Sequence, residues 1–322
     1  MKKITTLFCL LIFILNIEAQ KITRYDYRNT NLPNKNIECL TLDKNTNYIW
    51  LGQINSGVSV WNGSTFIRYF TGNCGMHHNN VSDIYIDSNI VWLGCHNGIS
   101  KFDGSNWTNY SSSLASGLKN VLKIAKDTSG NIWSADGRNN KVLKFDGTNW
   151  IDYVTVPLSF NLQIDNIFVS KGSVYAFSRG STYLLKYNGV LFDTIPLFMN
   201  IQNFSKNADS VYLSVRSSGI PKIIKIYGNN ILVDSTINFE SNKVLNYVYN
   251  TKNKVSYTID SSFDRIKNNI RSRLLESELY SNDIGIVFTF DTIGNLYYTN
   301  NLNYNGLFKV HENSFYISGN VE

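Results

Sequence analysis

The sequence predicts an all-β fold, a seven-bladed β-propeller of four-stranded antiparallel blades whose ring is closed by pairing of the N- and C-terminal strands. Three observations predict it: a repeat of roughly forty residues, four short strand patterns in each repeat, and an N-terminal strand that completes the last repeat. No window sustains a helical period of 3.6 residues with capping signals, so helical repeats of similar length are disfavoured.

Two nearly identical stretches reveal the repeat: KFDGSNWTNY at 101–110 and KFDGTNWIDY at 144–153. In each, an Asp-Gly pair separates two short runs rich in aromatic and β-branched residues. Asp-Gly is typical of a two-residue type I′ hairpin, because both central residues take a positive φ. Each stretch therefore predicts a strand, a tight turn and a second strand, the outer hairpin of one blade.

A recurring aromatic residue gives the period. Its positions are Trp50, Trp92, Trp133, Tyr175, Tyr212, a degenerate Ser256 and Tyr297. Successive markers are 37 to 44 residues apart, which gives seven units, with six or eight as the alternatives if the weak sixth unit is miscounted. A repeated aromatic at a fixed strand position, with Trp107 and Trp150 beside it, is expected to form the core between blades rather than a ligand platform.

The order of patterns inside a unit also predicts how the ring closes. Alternating apolar residues come first, as in 36–43 and 80–87, followed by the marker strand and the outer hairpin. Segment 22–37 matches the last strand of one unit plus the loop into the next. We therefore expect the N-terminal strand to join C-terminal strands, which removes two open sheet edges. Segment 306–318 is itself a predicted hairpin, so either terminus is a candidate for the outermost strand.

Residues 1–19 have the pattern of a secretory signal peptide. Lys2 and Lys3 precede an apolar run, and Ala19 supplies a small residue at the cleavage position. Cys9 lies inside the apolar run, so no lipoprotein anchor is expected, and no later segment approaches eighteen apolar residues. The sequence therefore predicts one propeller domain over 20–322, periplasmic or secreted and without a membrane span.

The net charge limits the classes of binding partner, and the cysteine content limits the number of disulfides. The net charge of +6 is spread along the chain without a Lys/Arg block. This is weak evidence for an anionic partner and no evidence for a nucleic acid partner. Beyond Cys9 three cysteines remain, so at least one thiol has no disulfide partner within the chain. We expect a monomer stabilised by its core rather than by a disulfide framework.

The stretch NLPNKNIECLTLDKNTNYIWLGQINSGVSVWNGSTFIRY, residues 31–69, resembles the two-component regulator propeller repeat. Residues 79–110 and 119–153 match the same repeat, and later units keep only its skeleton. Such repeats build periplasmic sensor domains of signalling receptors, often in bacteria that degrade polysaccharides. The resemblance implies a propeller and a sensor-like binding role, with a glycan fragment as the expected ligand and an envelope protein as the alternative partner.

One cluster in the sequence is not repetitive. Cys74, His77, His78, Cys95 and His96 fall within 23 residues and include three of the four histidines. The loop entering the second blade and the loop between that blade's second and third strands should emerge on one face, so all five side chains are expected near each other. Three interpretations stay open: ordinary loop residues, a Cys74–Cys95 disulfide, and a divalent metal site formed by His77, His78, Cys95 and His96.

Equivalent loops of other blades add polar residues to the same face. Loops at one end of a rigid scaffold are common binding sites. The ligand-binding candidates are His78, His96, Asn97, Asp136, Arg138 and Arg179.

No catalytic constellation is present in the sequence. It contains no Ser nucleophile elbow, no HExxH and no phosphate loop, and Glu38 and Asp83 are the carboxylates expected near the channel mouth. The sequence therefore favours a non-catalytic binding protein without a cofactor. Two alternatives stay open: a metal-dependent hydrolase or lyase at the channel mouth, and a protein-interaction scaffold in the cell envelope.

Overall fold

The computed structural model describes residues 22–34, 36–111, 121–137, 141–154, 164–207, 209–218, 220–234, 246–250, 255–259, 263–267, 270–275, 287–290, 295–299 and 307–310. The predicted signal peptide and the candidate residue Arg138 lie outside these ranges.

The described residues form 28 strands, and every pair of neighbouring strands is antiparallel, which confirms the predicted all-β class. Strand β1 is Ile22–Tyr25. Blade 1 contains β2 (Ile37–Asp43), β3 (Tyr48–Gln53), β4 (Gly57–Trp61) and β5 (Phe66–Tyr69). Blade 2 contains β6 (Val81–Asp87), β7 (Ile90–Cys95), β8 (Gly98–Phe102) and β9 (Trp107–Ser111). Blade 3 contains β10 (Val121–Lys126), β11 (Ile132–Asp136), β12 (Lys141–Phe145) and β13 (Trp150–Val154).

The second half of the chain continues in the same order. Blade 4 contains β14 (Asn166–Ser170), β15 (Ser173–Phe177), β16 (Tyr183–Tyr187) and β17 (Phe192–Pro196). Blade 5 contains β18 (Asn200–Asn207), β19 (Ser210–Ser217), β20 (Ile220–Tyr227) and β21 (Asn230–Asp234). Blade 6 contains β22 (Asn246–Asn250), β23 (Val255–Ile259), β24 (Phe263–Lys267) and β25 (Ile270–Leu275). The last strands are β26 (Val287–Phe290), β27 (Leu296–Thr299) and β28 (Leu307–Val310). No helix in the described part is long and apolar enough to cross a membrane.

The predicted count of seven blades is wrong. Six blades are units of four consecutive antiparallel strands, whereas the remaining sheet joins β26, β27 and β28 to β1 from the other end of the chain. We call this composite the closing sheet. The predicted pairing of the terminal strands is confirmed, because Ile22 lies opposite Val310 and Tyr25 opposite Leu307. Among the described strands β1 lies at the outer edge of the closing sheet, and residues 311–318 of the predicted C-terminal hairpin lie outside the described ranges.

Five of the marker aromatics pack against the blade that follows them. Trp50 of blade 1 lies in one cluster with Val81 and Leu93 of blade 2, and Trp133 of blade 3 lies in one cluster with Val174 of blade 4. The buried markers are Trp50, Trp92, Trp133, Tyr175, Tyr212 and Tyr297. The prediction that these aromatics form the core between blades is confirmed.

The outer hairpins differ from the predicted turn type. Strands β8 and β9 are joined by four residues, 103–106, and Gly104 alone among them has a positive φ, 99°. The carboxylate of Asp103 accepts hydrogen bonds from the backbone N–H groups of Ser105 and Asn106, at 2.9 and 2.7 Å. The type I′ prediction is therefore wrong, while the strand–turn–strand prediction is confirmed. The backbone donors hold the pKa of Asp103 below its ordinary value.

The innermost strands bulge at the same place in several blades. The register shifts between Ile37 and Cys39 in β2, and between Val81 and Asp83 in β6; β10 and β18 shift at the corresponding position. A bulge inserts one extra residue and re-aims the following side chain. In blade 2 the backbone of β7 also lies close to the next blade, because a Cβ on Gly94 would lie 2.8 Å from Val121 Cγ1 and 3.2 Å from Val121 O.

We expect Gly94→Ala to destabilise the protein by about 1–3 kcal/mol, because the added methyl group overpacks this junction between blades 2 and 3. Chemical denaturation measures the free energy of unfolding. Val121→Ala removes the nearer clashing atom, so the double variant should be less destabilised than the sum of the single variants. Additive effects, or an unchanged stability of Gly94→Ala, would show that the junction has room to relax.

Candidate functional site

Loops from blades 1 and 2 meet at one end of the propeller, which we call the loop face. It includes the loop 70–80 between β5 and β6, and the equivalent loops at the same end of other blades. Asn79 O accepts a hydrogen bond from Gly57 N at 2.8 Å, and Asn80 Oδ1 accepts one from Asn55 N at 3.0 Å. Loop 70–80 is thereby fastened to blade 1 through the backbone of Asn79 and the side chain of Asn80, so the loop has a defined position.

His78 and His96 come together on the loop face, as the sequence predicts. Their ring centroids are 5.3 Å apart, with the ring planes at 42°. His78 Nδ1 accepts a hydrogen bond from Asn80 N at 2.9 Å, and Asn80 O accepts one from His96 N at 3.2 Å. Because Nδ1 is an acceptor, the neutral His78 ring carries its proton on Nε2 and offers a donor there.

The pKa of His78 lies below its ordinary value of 6.5. Burial is the main cause, and the neighbouring rings of His96 and His77 add repulsion between like charges. His78 is therefore neutral at pH 7, where its ring donates from Nε2 without a charge. Such a group suits a hydroxyl or carbonyl acceptor better than it suits an ion pair.

A hydrogen-bond chain that the sequence did not reveal holds the loop beneath the two histidines. Ser100 Oγ accepts a hydrogen bond from His77 N at 2.8 Å and donates one to Asn109 Oδ1 at 2.8 Å. Asn109 Nδ2 donates to Gly75 O at 2.7 Å. His77 therefore helps to fix the loop through its backbone N–H. Ser100 and Asn109 lie opposite each other on the two outer strands of blade 2, and this pairing brings the two side chains of the hydrogen-bond chain together.

The predicted Cys74–Cys95 disulfide is absent, because Cys39, Cys74 and Cys95 are all free thiols. Cys95 is fully buried in the core of blade 2, where burial raises its pKa to about 12. Cys74 donates from Sγ to Phe70 O at 3.2 Å. Side chains alternate along a strand, so Cys95 points into the core while the following residue, His96, reaches the loop face.

The predicted metal set of His77, His78, Cys95 and His96 is not assembled. Within the described ranges no three His, Cys, Asp or Glu side chains come close enough together to hold a metal ion. The chemistry of the ligating atoms also disfavours a metal. Cys95 is a protonated thiol in the core, and His78 Nδ1 already accepts a hydrogen bond from Asn80 N. The residues present do not fit a divalent metal.

The other ligand-binding candidates are dispersed. Asn97 is exposed next to His96 with a φ of 66°, and Arg179 is exposed two blades away, where its backbone N–H donates to the carboxylate of Asp165 at 3.2 Å. Asp136 is buried at the end of β11 and faces no solvent. His78, His96 and Asn97 therefore form the compact part of the predicted site.

Asp83, one of the two carboxylates predicted at the channel mouth, has a structural partner. Asp83 Oδ1 lies 2.9 Å from Lys123 Nζ, and Asp83 Oδ2 accepts a hydrogen bond from Ile124 N at 2.7 Å. Burial disfavours the charge of Lys123, but the Asp83 carboxylate outweighs it and leaves the pKa of Lys123 above its ordinary value. Both oxygens of Asp83 are used to join blades 2 and 3, which gives the predicted hydrolase or lyase no support from this residue.

No protein-family model and no curated protein sequence matches the chain. Solved structures do resemble it. A streptogramin B lyase superposes with a TM-score of 0.68 at 12% identity, covering 91% of this chain and 97% of the lyase. YCF48 from Cyanidioschyzon merolae superposes with a TM-score of 0.65 at 12% identity, covering 90% of this chain and 98% of that one.

A signalling protein is also similar. The extracellular domain of a putative hybrid two component system from B. thetaiotaomicron has a TM-score of 0.66 at 13% identity, covering 90% of this chain and 39% of that one. At such identities the similarity shows the fold alone, a β-propeller. The narrower resemblance to the two-component regulator propeller repeat stays a prediction.

We expect nuclear magnetic resonance titration of His78 to give a pKa below 6.5, which His96→Asn raises by removing one source of repulsion. The unfolded state takes up this proton first, so acidification below pH 6.5 should destabilise the protein through His78 until the folded-state pKa is passed. A folded-state pKa at or above 6.5 would show that the ring is neither buried nor close to His96.

Proposed function

We propose that this protein is an exported, non-catalytic, sensor-like propeller that recognises a ligand at the loop face through His78 and His96. The observation that carries the proposal is the convergence of the two rings from separate loops, 5.3 Å apart. The His78 ring is held through Nδ1 by the backbone N–H of Asn80, and the backbone N–H of His96 donates to the carbonyl oxygen of the same residue. A site whose polar groups are fixed before binding loses less entropy when the ligand arrives.

We propose a glycan fragment as the ligand class. A neutral His78 offers an Nε2–H donor, and Asn97 next to His96 adds an amide that both donates and accepts. Uncharged donors and acceptors at close range match the hydroxyl groups of a sugar. The resemblance of residues 31–69 to sensor propeller repeats supports the same class, as does the similar extracellular domain of a two component system.

An envelope protein is the second candidate partner. A structure of YCF48 bound to D1 peptide superposes on this chain with a TM-score of 0.61 at 12% identity, covering 92% of this chain and 98% of that one. A propeller of this shape therefore accommodates a peptide in at least one protein. For this chain, the periplasmic or secreted location rests on the signal peptide pattern of residues 1–19.

The proposal is tested by thermal unfolding of the protein, expressed with its own leader, against a panel of oligosaccharides with and without a chelator. A ligand at about 100 times its dissociation constant adds about 2.7 kcal/mol of stability. The midpoint should then rise by at least about 2 °C for a domain of this size. We expect one glycan class to produce the shift and the chelator to leave it unchanged.

The double variant His78→Ala and His96→Ala should lose this shift, because it lacks both rings. Thr194→Ala, an exposed position on the outer strand β17, is the matched control and should keep it. A shift retained by the double variant would move the site away from the histidines. No shift with any glycan would reject the ligand class, and a fall in midpoint on chelation would restore a metal site.

A further inference from the structure

Arg68, the third residue of β5, presents an oriented guanidinium group at the loop face. The residue is exposed, and its Cζ lies 4.3 Å from the centre of the Phe70 ring. Arg68 Nε donates a hydrogen bond to Ser56 O at 3.3 Å. Ser56 belongs to the turn between β3 and β4, and Phe70 belongs to loop 70–80, so both contacts hold the group at the loop face. A guanidinium that stacks on a ring and is bonded through Nε has a restricted orientation.

The two terminal amino groups of Arg68 have no carboxylate partner among the described residues. The arginines near the N-terminus differ, because Arg24 Nε and Arg28 Nη2 lie 3.0 and 2.7 Å from Asp26 Oδ2. The planar fork of a guanidinium matches two oxygens of a carboxylate or of a tetrahedral oxyanion such as sulfate. Arg68 is therefore oriented to bind an anionic group from outside the described part of the protein.

One peptide group joins Arg68 to the loop that carries His78. Its C=O, from Ser56, accepts the hydrogen bond of Arg68, and its N–H, from Gly57, donates to Asn79 O at 2.8 Å. Because both bonds start from the same peptide group, Arg68 Nε lies within about 9 Å of Asn79 O. Asn79 directly follows His78 in the chain. One oligosaccharide can therefore reach both Arg68 and the His78 ring.

Asn55 supplies a polar group between the arginine and the histidines. It directly precedes Ser56, it is exposed, and its N–H donates to Asn80 Oδ1 at 3.0 Å. The backbone of Asn80 in turn binds His78 Nδ1 and the N–H of His96. The amide of Asn55 can donate to and accept from the hydroxyl groups of a sugar that crosses the β3–β4 turn. The contacts from the arginine to the two histidines are thus continuous.

We propose that the ligand of the loop face is an acidic oligosaccharide, whose anionic group binds Arg68 while neighbouring hydroxyl groups bind His78 and His96. This inference rests on the proposed function and deepens it, because the arginine makes the glycan site selective for charge. The anionic group is a carboxylate or a sulfate ester, since both present pairs of oxygens to a guanidinium. The net charge of +6 favours an anionic ligand over a cationic one.

The test is calorimetric titration of the protein, expressed with its own leader, with matched pairs of oligosaccharides. Each pair contains a uronate or sulfated oligosaccharide and the same chain after reduction of its carboxylates or removal of its sulfates. We expect one acidic member to bind at least about 10-fold more tightly than its neutral counterpart, because a hydrogen bond to a charged group contributes more than one between neutral groups. The pair that shows the difference identifies the anion as carboxylate or sulfate.

Three variants assign this difference to the guanidinium. Arg68→Gln should remove it, and its thermal midpoint without ligand should stay within about 2 °C because the residue is exposed. Arg68→Lys keeps the net charge but lacks the planar fork, so it should lose most of the preference. Lys222→Gln is the matched control, since it removes one exposed charge from β20 in blade 5 and should keep the full preference.

The outcomes separate this inference from the proposed function. Equal affinity within every pair would overturn the acidic ligand and leave a neutral glycan at the histidines. A preference that survives in Arg68→Gln would also overturn it, as would binding of an acidic peptide in place of every oligosaccharide. Acidic binding that survives in the double variant His78→Ala and His96→Ala would reject the proposed function at the histidines and leave only an anion site at Arg68. No binding by any member would reject both.

Discussion

The structure depends on one constraint: no blade can bury the aromatic residue of its own second strand. Trp50, Trp92 and Trp133 each pack into a cluster that the next blade supplies. Burying a side chain of this kind stabilises the fold by about 1.5–3 kcal/mol relative to leaving it in water. A partly exposed ion pair such as Lys141–Asp152 contributes about 0–1 kcal/mol. Packing between blades therefore decides the architecture, and the ion pairs refine the junctions.

This constraint explains why the two ends of the chain must meet. If the blades formed an open row, no preceding blade would cover the first blade, and Leu32 and Ile37 would be exposed. In the structure they share a cluster with Tyr297 and Leu307 of the closing sheet. Strand β1 completes that sheet by pairing with β28, so the last strands can be covered only when the first strand is in place. The junction also removes an open edge that would otherwise pair with other chains.

Period and strand order could be predicted because they follow from residues repeated at fixed positions. The marker aromatics fall where the blade junctions need them, from Trp50 to Tyr297. The turn type was misjudged because Asp103 uses its side chain to bind two backbone N–H groups, which makes a positive φ at that residue unnecessary. Asn62 binds the N–H groups of Ser64 and Thr65 in the same way, so a four-residue loop with Asp or Asn first was the common feature.

The candidate site was predictable only in part. Loop positions follow from topology, so the meeting of His78 and His96 could be expected. The strand period of two also implied that Cys95 and His96 point to opposite sides, a signal that argues against the metal set. The exposure of Phe198 had no sequence signal, because it depends on how the segment between blades 4 and 5 is placed.

The described loops of the loop face are held by hydrogen bonds that are separate from the hydrophobic clusters between blades. Asn79 and Asn80 join loop 70–80 to blade 1, and Thr182 and Ile201 join the loops of blades 4 and 5. Exposed side chains carried by such loops can change without disturbing the hydrophobic clusters between blades. Proteins that share the clusters are then free to differ in what they bind. This accounts for a fold shared at 12–14% identity between a lyase, a signalling domain and this chain.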